Sequence, residues 1–394
     1  MFHDTVSPYP QSPRGRHGSR TGRGRGRALR APRLRPGTAE RAGLDPAEIE
    51  RLVAEVAALP GTWCAGAVLA VGRGPVLVVE EAFGWAVAHR AYGDELPAYR
   101  KVPMHTGTPF DLASLTKLFT TVAAVQQMER GRLGLDAKVG SYLPEFTAAA
   151  DHGITVRQLL THTSGLRPEL PLYDCQSDTE RLAMLRAEEP SAPAGEYLYS
   201  DLNMLLVQHL LERVTGERLD RLIRDGITRP LGMSQTGFGP CAFAAATEDQ
   251  RKPWAKADRG MVRGTVHDEN AFALGGVAGH AGLFATAGDL AVFCRALLGG
   301  GGYGTARILG PDYVDLMLSP PGLGFRLDEP WFMGELAGRG AAGHTGFTGT
   351  SLVIDPATDT FVVLLANTVH PRRPGKPSSA PRAAAGTRLA RAVR

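Results

Sequence analysis

Apolar positions recur along this chain with two periods, and the switches between them outline the fold. In "LDPAEIERLVAEVAALPG" (44–61) they return at helical spacing, with Asp45 as cap and Pro46 at the first helical position. "WCAGAVLAV" and "PVLVVEEAFGWA" are short apolar runs around a "GRGP" turn and predict an antiparallel hairpin. From 114 to 130 helical spacing returns through Leu115, Leu118, Phe119, Val122, Val125 and Met128. Residues 130 to 260 are rich in helices and loops. "ITVRQLLTHTSGL" holds a Thr155–Gln158 capping box, and "NMLLVQHLLERVTG" is a helix closed by Gly216. "ATAGDLAVFCRALLGG" is another helix, capped by Thr286 with Asp289. "TSLVIDPATDTFVVLLANT" (350–368) gives two strands around an Asp-Pro turn. Strands near both ends and helices between them predict an α/β (α+β) fold. One antiparallel sheet is flanked by N- and C-terminal helices and carries an inserted all-helical lobe, roughly 118–265.

Composition changes this picture only at the ends. The chain has 394 residues, 43% of them hydrophobic, enough for a large core. Its net charge of +4 is uneven: residues 1–41 hold ten arginines against Asp4 and Glu40, leaving the remainder mildly acidic. "PRGRHGSRTGRGRGRALRAPRLRPG" has too little apolar surface to order itself, so 1–41 is expected to be a disordered Arg/Gly-rich tail. Such an arm is the one segment suited to nucleic acid, and an unselected extension is its plainer reading. Residues 42–370 form the expected domain, and 371–394 a Pro/Arg/Ala-rich tail with a linker and a short helix. No apolar signal core follows the N-terminal charges, and no run is long enough to span a membrane. The four cysteines are scattered, without a CxxC pair. These features predict a cytoplasmic monomer without metal or organic cofactor.

The candidate chemistry starts at "FDLASLTKLF" (110–119), which sets Ser114 three residues before Lys117 at a helix start. A helix places i and i+3 on one face, and its N-terminus favours a developing oxyanion. Lysine can act as base if burial and nearby cations lower its pKa. Alone, S-x-x-K is a weak signal. Two more segments join it: "EYLYSDLNMLL", with Tyr199 and Asp201, and "GHTGFTGTSLVIDP", with His344, Thr345 and Gly346 before a strand. In this order they resemble the S-x-x-K, Y-x-N and K-T-G motifs of the serine β-lactamase and penicillin-binding-protein superfamily. "LLTHTSGL", "RPLGM" and "GGVAGHAGLFATAGDLA" resemble segments of its class C-like branch, which includes esterases and peptidases.

The resemblance covers roughly residues 44–370 and implies a β-lactamase/transpeptidase-like fold and an acyl-enzyme mechanism. It implies Ser114 as nucleophile, Lys117 as the group helping to deprotonate it, and Tyr199 as the second acid/base. The backbone N–H groups of Ser114 and Phe347 would form the oxyanion hole. Asp201, His344, Thr345 and Gly346 would contact a small-molecule or peptide substrate. His344 would face its carboxylate and make the site's charge pH-dependent near neutrality. Two departures stand out: Asp201 replaces an amide donor and would hold Lys117 charged, and His344 replaces lysine. They point to esters, amides or D-amino-acid peptides rather than efficient β-lactam hydrolysis. The rival reading is a non-catalytic binding protein on this scaffold, taking peptidoglycan fragments or nucleic acid. "GGGGYG" (299–304) reads as a loop, "VHDEN" (266–270) as a polar loop rather than a metal site, and Glu169 as loop. His162 and His280 read as structural hydrogen bonders, and G-x-S-x-G is absent.

Overall fold

The hairpin predicted from 63 to 86 forms two adjacent strands of the main sheet. In the computed structural model, which describes residues 31–375 and 378–394, that sheet has eight strands. They are β1 (Arg35–Pro36), β2 (Gly66–Arg73), β3 (Val76–Val87), β4 (Val102–Pro103), β5 (Arg326–Leu327), β6 (Ala342–Thr345), β7 (Ser351–Asp355) and β8 (Thr360–Ala366). The order is β1-β3-β2-β8-β7-β6-β5, with β4 also on β3; β1 pairs parallel and every other pair is antiparallel. Residues far apart in sequence thus meet at the sheet centre, Leu69 opposite Leu364.

The central strands β2, β7 and β8 are buried on both faces, which is why they read as nearly continuous apolar runs. Ala67, Leu69 and Val71 of β2 and Val362 and Leu364 of β8 pack with α1 (Pro46–Ala57), whose Asp45 cap accepts from Ala47 N at 3.0 Å. Val68, Ala70, Val363 and Leu365 point into the larger core, with α2 (Thr116–Glu129), α3 (Asp201–Thr215) and α4 (Ala287–Leu298). The capping box at Thr155, the left-handed Gly216 cap and the Thr286 cap all form as the sequence predicts. The helical insert also carries a two-stranded ribbon, Ala246–Gln250 with Gly260–Arg263.

Residues 31–41, expected to be tail, join the domain, and the short helix expected in 371–394 packs onto it. Residues 1–30 lie outside the described residues, but Arg35 and Pro36 pair with Val76 and Leu77, and Ala39 is buried. At the other end, α5 (Ala380–Ala392) packs against α1 and buries Ala385, Leu389 and Ala392. Small residues let it approach closely: a Cβ on Gly386 would sit 2.1 Å from the Met333 carbonyl oxygen. No helix among the described residues is long and apolar enough to cross a membrane.

Candidate active site

α2 is buried all round, polar residues included, as befits a helix at the centre of a large core. A short 3-10 turn, Ala113–Leu115, leads into it and carries Ser114. Ala113 is forced to φ +47, a strained value for a residue with a Cβ. The buried Asp111 carboxylate holds that turn, accepting from Ala113 N at 2.8 Å and His267 N at 2.6 Å. One helical turn on, the fully buried Lys117 donates from Nζ to Ser114 Oγ at 2.8 Å and to the His280 carbonyl at 3.2 Å. The same ammonium lies 2.8 Å from Asp201 Oδ1, at the start of α3.

That last contact works against a depressed lysine pKa, in the direction a carboxylate at position 201 implies. Burial acts to lower it but is outweighed by Asp201 and Tyr199, which hold the Lys117 pKa above the ordinary lysine value. Lys117 is therefore charged in the resting site. Asp201, expected to touch substrate, serves instead as its counter-ion and is not among the residues lining the cavity. The Tyr199 hydroxyl faces Lys117 and Ser114; burial raises its pKa, against the pull of the ammonium. Its ring lies tilted against His162 with centroids 4.7 Å apart, and His162 Nδ1 meets Ser200 N and Asn203 Nδ2, each at 3.1 Å. His162 and Asn203 thus fix the tyrosine that follows the "THTSG" turn.

The third segment approaches from β6. Thr348 Oγ1 donates to the Asp111 carbonyl at 2.7 Å and Thr350 Oγ1 to that of Leu112 at 3.0 Å, tying the 346–350 loop to the turn that carries Ser114. Only glycine fits at 346, where a Cβ would meet Leu112 O at 2.4 Å. The backbone N–H groups of Ser114 and Phe347 have no hydrogen-bond partner among the described residues. Ser114, Tyr199, His344, Thr345, Gly346 and Phe347 all line one cavity of about 490 Å³. His344 departs from expectation. Burial first, then the Lys117 charge, drives its pKa well below the usual histidine value, and its Nδ1 bonds the Thr345 carbonyl at 2.7 Å. It is a neutral wall, not a cation near pH 7.

Positive charge comes instead from Arg382 of α5, a residue without a sequence signal. It is 8% exposed and lines the cavity. Nη1 reaches Ser379 Oγ and Nη2 the Gly346 carbonyl, each at 3.0 Å, while Nε has no partner. No carboxylate pairs with it among the described residues, and burial brings its pKa down to about 10. Arg326, also in the lining, lies 5.4 Å from the Tyr199 ring centre and is paired with Glu329. Of the "VHDEN" residues, His267 pairs with Glu248 at 2.9 Å, Glu269 with Arg373 at 2.7 Å, and Asp268 with His280 at 2.9 Å. Asp201, Asp268 and His280 bring ligand atoms within 4.8 Å of one another, but Lys117 already balances the first carboxylate. Glu169 pairs with Lys256 on a loop.

The Beta-lactamase family model matches residues 49–386, spanning all three motif segments in this geometry. The chain belongs to the β-lactamase family. Like the serine hydrolases of that family, it is an enzyme of the β-lactamase/penicillin-binding-protein type. It is 34% identical over 335 residues to an Escherichia coli (strain K12) protein named "Putative D-alanyl-D-alanine carboxypeptidase", covering 75% of this chain and 76% of the other. It is 32% identical over 344 residues to the N-acetylmuramyl-L-alanine amidase of Bacillus subtilis (strain 168), covering 77% of each. A penicillin-binding protein homologue from Caulobacter crescentus shares the fold at TM-score 0.67 and 22% identity, covering 88% of this β-lactamase-family chain and 97% of its own.

Proposed function

We propose that this enzyme hydrolyses carboxylate-bearing D-amino-acid peptides, amides or esters through an acyl-enzyme on Ser114. The observation that carries the reading is the joint position of Ser114 and the unpaired, buried Arg382 on one cavity. A buried guanidinium without an acid partner is costly, and a substrate carboxylate would relieve that cost. In the proposed cycle, the Lys117–Tyr199 pair first gives up one proton. The Tyr199 oxygen then takes the Ser114 proton as Oγ attacks the acyl carbon, and returns it to the leaving group. The Ser114 and Phe347 N–H groups stabilise the oxyanion, and water repeats the sequence in reverse to release the acid. The names of the Escherichia coli and Bacillus subtilis relatives support peptide and amide bonds near D-alanine or muramyl groups as substrates. β-Lactams are expected to be poor substrates, because no side-chain amide donor is among the described residues lining the cavity.

The test compares an acyl-D-alanyl-D-lactate carrying a free carboxylate with its methyl ester. Wild type is expected to favour the free acid by roughly tenfold or more in kcat/KM, the scale of one charge-assisted contact. Arg382→Gln should erase that preference through KM, and nitrocefin should be turned over more slowly than the depsipeptide. Equal rates for acid and ester would contradict the reading.

The proton count also sets a pH dependence. Both members of the Lys117–Tyr199 pair are shifted upward, so the form lacking one proton grows as pH rises. kcat/KM for a neutral ester is expected to climb from pH 7 toward pH 10. Asp201→Asn removes a cause that raises the Lys117 pKa, so its profile should move to lower pH. A profile that moves upward, or does not move, would remove Asp201 from the proton path.

A further inference from the structure

A second cavity, of about 410 Å³, adjoins the catalytic one and shares Thr62, Trp63 and Thr368 with it. The loop before β2, the end of β3 and the segment after β8 build it. Nucleophile, acid/base groups and oxyanion donors are absent from its lining. Its charge is closed: Lys101 Nζ pairs with Glu95 Oε1 at 2.5 Å and sits 5.5 Å from the centre of the Trp85 ring. A charged ligand would have to break that pair, so the cavity favours a neutral one.

The groups left open are mixed donors and acceptors. His89 Nδ1 is buried and has no hydrogen-bond partner, and burial lowers the pKa of the ring, which stays neutral and can donate or accept. An unpaired buried polar atom costs about 1–3 kcal/mol, which a ligand hydroxyl or amide would recover once a small side-chain shift brought the ring nitrogen to the cavity. The Thr62 hydroxyl donates to the Ala58 and Leu59 carbonyls and so keeps lone pairs to offer. Trp63 and Trp85 supply indole surface, whose electron-rich faces attract the weakly positive C–H groups of a polyhydroxylated ring. Neutral charge, hydroxyl-like hydrogen bonding and aromatic walls describe one ligand class. We propose that this cavity is a subsite for a neutral pyranose ring carried by the substrate. The proposal rests on the acyl-hydrolase reading, since the shared wall sets that ring next to the group bound at Ser114.

The experiment titrates the full-length Ser114→Ala protein with N-acetylglucosamine, following intrinsic tryptophan fluorescence and calorimetry, with cyclohexanol as an apolar ring of similar size. Saturable sugar binding in the millimolar range is expected, the usual reach of a few weak contacts. Trp85→Ala and His89→Ala, each checked by thermal melting, should weaken it roughly tenfold. In the Ser114 background, Trp85→Ala should hydrolyse p-nitrophenyl acetate at the wild-type rate. No saturation up to about 100 mM sugar, well above the millimolar range, would overturn the subsite. So would cyclohexanol binding equally well, or titrations unchanged in both variants. Absence of p-nitrophenyl acetate hydrolysis by wild type would overturn the hydrolase reading instead, whatever the sugar does.

Discussion

Ser114→Ala is expected to lose a factor on the order of 10³ to 10⁶ in kcat on any acyl substrate, the scale seen when a nucleophile is removed from a unit that acts together. The fold should survive. The Ser114 hydroxyl meets the Lys117 ammonium, which keeps Asp201 at 2.8 Å and the His280 carbonyl at 3.2 Å when the hydroxyl is lost. The strained turn is held by Asp111 through backbone N–H groups that alanine leaves untouched. The melting temperature should therefore stay within a few degrees, a change of about 1 kcal/mol or less. Steady-state hydrolysis of p-nitrophenyl acetate beside a thermal melt reads both quantities. Activity within tenfold of wild type would move the nucleophile elsewhere.

Tyr199→Phe should lower kcat by roughly 10² or more while leaving KM nearly unchanged, because general acid–base catalysis contributes on that scale. The substitution isolates the hydroxyl. The ring rests on His162 at 4.7 Å, with His344 5.9 Å away on its other contact, and phenylalanine keeps both. The loss should be larger for an amide than for an activated ester, whose leaving group needs no proton. A uniform loss across both substrates, accompanied by a lower melting temperature, would make Tyr199 a packing residue.

Features set by local sequence were legible before the structure. The hairpin, the Asp45, Thr155 and Thr286 caps and the Ser114–Lys117 spacing each depend on neighbours within a few residues. What escaped depends on contacts between distant segments. That Asp201 would hold Lys117 charged was legible; that it pairs there and stays out of the cavity lining follows only from where α3 begins beside α2. His344 looks titratable in sequence, but burial and the nearby ammonium keep it neutral. "PRAAAGTRLARAVR" predicts a short helix in a tail, but its packing relies on alanine and glycine rather than large apolar residues, and this hid the docking of α5 and the place of Arg382 at the cavity. Arg35 and Pro36 form too short a strand to show a period.

The most direct measurement is intact-mass analysis of the protein after exposure to an alkyl fluorophosphonate, followed by proteolysis and sequencing of the labelled peptide. The proposed mechanism predicts one adduct per chain, located on Ser114 and missing from Ser114→Ala. Labelling of another residue, or an adduct that persists in Ser114→Ala, would contradict it.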